Sequence, residues 1–163
     1  MWSFRPFSLR GTIPRMEMLF GLPAHPLIVH FPVVGIPLVS IAAIVLVIRP
    51  QKMAENGLLV AGFSLLTAIS TILAATSGEA LVPLLTTDEA ISKHRELGET
   101  LRLFSILQAV AITGMWITSK RDSMPKPVQV GLAAITVITS VLALIWVIRT
   151  GHEGASQSWG FLS

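Results

Sequence analysis

The chain contains no cysteine, which removes disulfides, iron–sulfur clusters, thiolate zinc sites and covalently attached c-type haem from consideration. It is also poor in charge. Asp, Glu, Lys and Arg make up 13% of its 163 residues, about half the usual globular share. None of its apolar stretches alternates with period two, as the strands of a β-barrel would. Glycine-rich phosphate loops, HExxH and GxSxG are missing, so no nucleotide, protease or hydrolase signature is present. No internal repeat or low-complexity segment stands out. A formal charge of +3 raises the question of nucleic acid, but the cations are scattered between apolar runs, a pattern that reflects membrane topology rather than polyanion binding.

What the chain does have is hydrophobic length. Apolar residues reach 52%, concentrated in four runs: Leu27 to Ile48, Gly57 to Leu85, Leu101 to Thr118 and Val128 to Ile148. Each is near the roughly 20 residues a helix needs to cross a hydrocarbon core. A soluble helical core would keep a polar face for water, and these runs leave none. The expected fold is an all-α integral membrane up-down four-helix bundle, with helices at about 26–48, 57–84, 88–119 and 127–150. Residues 1–20 read as an arginine-rich interfacial segment, with Met16 and Met18 as alternative starts; 21–155 form the single membrane domain and 156–163 a tail. No signal peptide is expected, because the first run is too long and lacks a small-residue cleavage site.

Local signals place the boundaries. Pro50 ends the first helix, and Ser70, Ala74 and Gly78 form a small-residue ladder in the second that lets membrane helices approach closely. Pro83 ends that helix, and Thr86 with Glu89 has capping-box spacing for a third starting near Asp88. Pro125 and Pro127 separate the third helix from the fourth, which should end around Arg149 to Gly151. Arg49, Lys52, Lys120, Arg121 and Lys126 favour the cytoplasm for two loops, while Arg5, Arg10 and Arg15 oppose the implied extracytoplasmic termini. Trp2, Trp116, Trp146 and Trp159 are expected to form an interfacial aromatic belt.

All four histidines flank these runs on the same side. His25 and His30 enter the first helix, His94 lies near the outer end of the third, and His152 follows the fourth. His25 and His30 are about 140° apart on a regular helix, so they serve different partners. His94 has Gly98 one turn away, with Arg95 and Arg102 nearby. A neutral imidazole to ligate iron, a glycine to admit a flat macrocycle and arginines to pair with propionates are the parts of a b-type haem site. The plainer reading is a solvated helix end in which Arg95 and Glu99 make an ordinary i, i+4 pair. Gly151 likewise serves as a helix C-cap in the plainer reading of the last helix. Glu153 and Glu79 are candidate carboxylates on the same side.

The string Gly21-Leu22-Pro23-Ala24-His25-Pro26-Leu27-Ile28-Val29-His30-Phe31-Pro32, with Thr150-Gly151-His152-Glu153-Gly154-Ala155 after the last helix, resembles the bacterial predicted membrane proteins grouped as domain of unknown function 2231. The likeness covers about residues 21–155. It implies four helices, a bacterial inner-membrane location and functional roles for His25, His30 and His152, and it suggests haem through similar domains that occur alongside cytochromes.

The expected function is therefore a b-type cytochrome-like electron carrier rather than an enzyme, with His30 and His94 as axial ligands of haem b on diagonal helices. Gly98, Arg95 and Arg102 would complete that site, while His25 and His152 would form a second haem, quinone or partner site. The expected partners are the lipid bilayer and a quinone or redox protein, with no nucleic acid. The alternatives are a histidine-lined transition-metal or proton pathway and a cofactor-free assembly subunit of a larger membrane complex.

Overall fold

The computed structural model describes residues 18–19, 22–81, 89–121 and 124–159. A two-residue antiparallel pairing, Met18–Leu19 with Leu22–Pro23, precedes the first helix. The helices are α1 (Ala24–Ile28), α2 (His30–Ile48), α3 (Met53–Leu81), α4 (Glu89–Ser119) and α5 (Lys126–Trp159). Four spans, His25–Ile48, Pro50–Ala80, Ser92–Ser119 and Lys126–Ser156, are long and apolar enough to cross a bilayer. The protein is a multi-pass membrane protein with an all-α four-helix architecture. Arg5, Arg10, Arg15, Trp2, Pro83, the Thr86 capping box and the last residues of the tail lie outside the described residues.

Two boundaries differ from the sequence expectation for identifiable reasons. The first span is interrupted only in its hydrogen-bond ladder between α1 and α2, Val29 itself keeping helical backbone angles (φ −63°, ψ −23°). Pro32 has no N–H for the Ile28 carbonyl, and its ring crowds that carbonyl. The hydrogen bonds Val29 N to His25 O (3.0 Å) and Val33 N to Val29 O (3.2 Å) continue the helical pattern through this point. The last helix does not stop at Gly151 but continues through His152 and Gly154 to Trp159, so Gly151 is not a C-cap.

Helix α2 packs against α3 and α5, and α4 packs against the same two. This leaves α2 and α4 diagonal, as an up-down bundle requires. The polarity is inverted relative to a water-soluble protein. Large apolar side chains such as Leu59, Ile48 and Val130 are turned outward, while Ser40, Thr67, Thr71, Gln108, Thr136 and Ser140 are buried. Lipid accepts the outer face, and the inner hydroxyls find acceptors on their own helices, as Thr71 does on Thr67 O and Thr136 on Leu132 O. Gln108 is the central tie. Its Nε2 crosses the diagonal to Ser40 Oγ at 2.7 Å and also reaches Ser140 Oγ at 3.2 Å, joining three helices at once.

Apolar clusters sit on either side of that tie, with Ile36, Leu101, Ala143 and Val147 toward the histidine end and Leu46, Met53 and Met115 at the far end. Trp116 belongs to the interior rather than to an interfacial belt. It packs on the Val39–Ala61–Ile112 cluster and over Gly57, where an added Cβ would come within 2.6 Å of its ring. Its Nε1 is buried with no hydrogen-bond partner among the described residues, whereas a belt indole would hold its N–H in the wet interface.

Candidate functional site: an imidazole-lined cavity at one end of the bundle

Where α1, the end of α3, the start of α4 and the end of α5 come together, the helices splay around a cavity of about 620 Å³. That volume falls within the range typical of sites for small molecules and cofactors. Most of its wall is apolar or glycine: Pro26, Val29, Ala74, Gly78, Gly98, Leu101, Val147, Gly151 and Gly154 contribute, with His25, His30, His94, Glu79, Arg95 and Glu99 among its polar groups.

His25 is half-buried and held from behind. Its Nδ1 donates to Ala74 O at 2.9 Å, with Ser77 Oγ 3.2 Å away. A backbone carbonyl only accepts, so Nδ1 carries the proton and, in the neutral ring, Nε2 keeps its lone pair. This is the arrangement that backs most metal-ligating histidines. The ladder expected to bring helices together explains how α1 gets so close. Ala74 and Gly78 are small, and a Cβ on Gly78 would lie 2.9 Å from His25 Cε1.

His94 stands on α4, within electrostatic reach of His25. Its Nδ1 is buried and makes no well-formed hydrogen bond among the described residues, although the Thr150 carbonyl is close by. Glu153 on α5 also lies near it and pairs outward with Lys93 at 2.8 Å. Gly154 gives His94 room, since a Cβ there would approach its Cε1 to 3.2 Å. Gly98, one turn along α4, differs: nothing lies within 4 Å of where its Cβ would be, and the backbone fronts open space.

The remaining sequence candidates divide. His30 is exposed, with Nδ1 donating to Pro26 O at 2.5 Å. His152 is exposed and does not border the cavity that His25 lines. The nine extra residues of α5 carry His152 onto the outside of a continuing helix. Arg95 borders the cavity and pairs with Glu99 at 3.1 Å, whereas Arg102 does not border it and binds Glu79 at 3.4 Å. Both arginines are thus held by carboxylates, Glu79 and Glu99, that themselves line the cavity. Sequence reasoning missed Ser77 and Thr150, and it missed the seats that Gly78 and Gly154 provide for the two imidazoles. Gly154 lay inside the exit string and Gly78 in the small-residue ladder, but neither pattern says which side chain comes to rest there. Among the described residues no three His, Asp or Glu side chains are grouped so as to hold a metal ion alone.

The family described as predicted membrane protein (DUF2231) matches residues 21–162. No curated protein and no solved structure matches the chain.

Proposed function

Since the chain belongs to the DUF2231 family of predicted membrane proteins, whose description carries no activity, we propose from the cavity itself that it is a b-type cytochrome-like electron carrier. The carrying observation is that two half-buried imidazoles from different helices line one apolar cavity, His25 with its tautomer fixed by Ala74 O and His94 with a buried Nδ1 that makes no well-formed hydrogen bond among the described residues. The residues present fit haem b. Two imidazole donors would suffice to hold a haem, whereas a bare transition-metal site draws three or more ligands from the protein. The open space in front of Gly98 admits a flat group that a side chain there would exclude.

In this reading His25 and His94 hold the iron, and His25 replaces His30 as the partner of His94. Its Nδ1–H bond to Ala74 O fixes the ring plane and raises the basicity of Nε2. Haem, when bound, supplies a one-electron Fe(III)/Fe(II) couple. The walls formed by Val29, Leu101 and Val147 exclude water. Of the Glu79–Arg102 and Arg95–Glu99 pairs, Arg95 borders the cavity and is the guanidinium placed to meet a propionate. Held by both imidazoles, a haem would serve electron transfer to a quinone or redox protein rather than oxygen chemistry. The loop charges favour a bacterial inner-membrane orientation with this end extracytoplasmic.

One observation favours a second reading, a histidine-lined proton or metal pathway: His94, Glu153 and Lys93 form a polar line from the cavity to the surface. A reduced-minus-oxidised absorption spectrum of protein purified after expression with ample haem separates the two. A low-spin haem signal at one haem per chain is the expected result. A colourless but helical preparation would overturn the cytochrome reading.

A further inference from the structure

His30 is the imidazole that the cavity leaves over, and its surroundings are those of a second site. It borders the cavity on one side and, on the other, a shallow outward groove of about 390 Å³ between α2 and α3. The rest of the groove is Leu27, Phe31, Val34, Gly35 and Phe63, without another polar side chain. Val34 is 60% exposed on what is the lipid side of a membrane span. His30 lies five residues inside the first span, about 7 Å along the helix.

We propose that this groove binds the headgroup of a membrane-dissolved quinol, with His30 Nε2 accepting the hydrogen of one of its hydroxyls. The argument is one of hydrogen-bond complementarity. Because Nδ1 is committed as a donor to Pro26 O, the neutral ring offers only an acceptor at Nε2. An acceptor facing hydrocarbon has no water to satisfy it, and leaving it unpaired is costly. Its complement is an O–H donor that itself dissolves in the bilayer. The groove also calls for a flat ring. Phe31 and Phe63 meet edge to face at 5.9 Å, presenting both an aromatic edge and an aromatic face to a third ring. A quinol combines a phenolic donor, a flat ring and an apolar tail, whereas glycerolipids keep their donors out in the headgroup layer. Beside the groove α2 and α3 approach closely, since a Cβ on Gly35 would meet Thr67 Oγ1 at 2.9 Å. A ligand against His30 would be one side chain away from the cavity.

The electron-transfer purpose of this site rests on the cytochrome reading, but quinol binding does not. It is tested with protein in lipid nanodiscs and a photoactivatable quinol analogue kept reduced, the cross-links being mapped by peptide mass spectrometry. Label is expected on the peptides carrying Phe31 and Phe63. A short-chain quinol should compete about tenfold better than its dimethyl ether, which lacks the O–H donors. His30→Leu should erase that preference. Val34→Trp, at a lipid-facing position where folding is undisturbed, should block the label by filling the groove. Label elsewhere, or equal competition by the dimethyl ether, overturns the proposal. Because the readout needs no haem, a colourless protein that binds quinol at His30 would sink the cytochrome reading and leave this one standing.

Discussion

Gly154 on α5 is the seat of His94 on α4: an added Cβ would lie 3.2 Å from His94 Cε1 and 3.6 Å from Nδ1. Gly78 on α3 serves His25 in the same way, at 2.9 and 3.2 Å. The imidazoles of the proposed site therefore rest on backbone from the neighbouring helix. Replacing either glycine by Val should tilt the ring it supports and alter the spectrum or midpoint potential of bound haem while leaving helicity intact. Unchanged spectra in both variants would remove the glycines from the site.

Ligand identity gives a sharper contrast. His25→Ala and His94→Ala should each open a coordination position and convert bound haem toward high spin. His30→Ala and His152→Ala should leave it low-spin, because one is exposed with its Nδ1 bonded within its own helix and the other does not border the cavity. Electron paramagnetic resonance on the four variants decides this. Conversion in His30→Ala together with none in His25→Ala would return His30 to the ligand role.

Gly98→Leu tests the open wall. Nothing stands within 4 Å of its Cβ position, so the fold should accept the larger side chain. Haem retention through purification should fall several-fold, because the new side chain would occupy the cavity. Full retention would mean that the flat group lies elsewhere.

Two glycines distinguish packing from propensity. A Cβ at Gly35 meets Thr67 Oγ1 at 2.9 Å and Cγ2 at 3.1 Å, whereas at Gly62 it meets nothing within 4 Å. Gly35→Ala should cost about 1–3 kcal/mol through overpacking, and Gly62→Ala should be neutral or slightly stabilising. Gln108→Leu should cost about 1 kcal/mol, in the range of interhelical hydrogen bonds inside membranes. Denaturant titration in micelles checks all three, and a neutral Gly35→Ala would contradict the close α2–α3 contact.

Topology is tested conveniently because the chain has no native cysteine. Ser92→Cys and Ser156→Cys should react with an impermeant maleimide from one side of the membrane, and Ser119→Cys from the other. Labelling of Ser92 and Ser156 from opposite sides is incompatible with four spans.

The sequence alone determined that the chain crosses a membrane, how many times, and that the histidines lie near one end of the bundle. Those conclusions rest on run length and on where prolines and charges interrupt the runs, and both are local properties. It did not determine which faces turn inward. In lipid the outer surface is as apolar as a core, so no stripe of hydrophobicity separates inside from outside: Leu59 faces outward and Thr67 inward on the same helix. That His25 is half-buried and bonded to Ala74 O while His30 stays exposed depended on that facing. Likewise, Gly151 looked like a stop signal, yet α5 runs through it to Gly154 because packing against α4 sustains the helix, and only that packing brings Gly154 under His94. Tertiary contact decided the site because its parts come from α1, α3, α4 and α5, helices whose relative rotation no local pattern encodes.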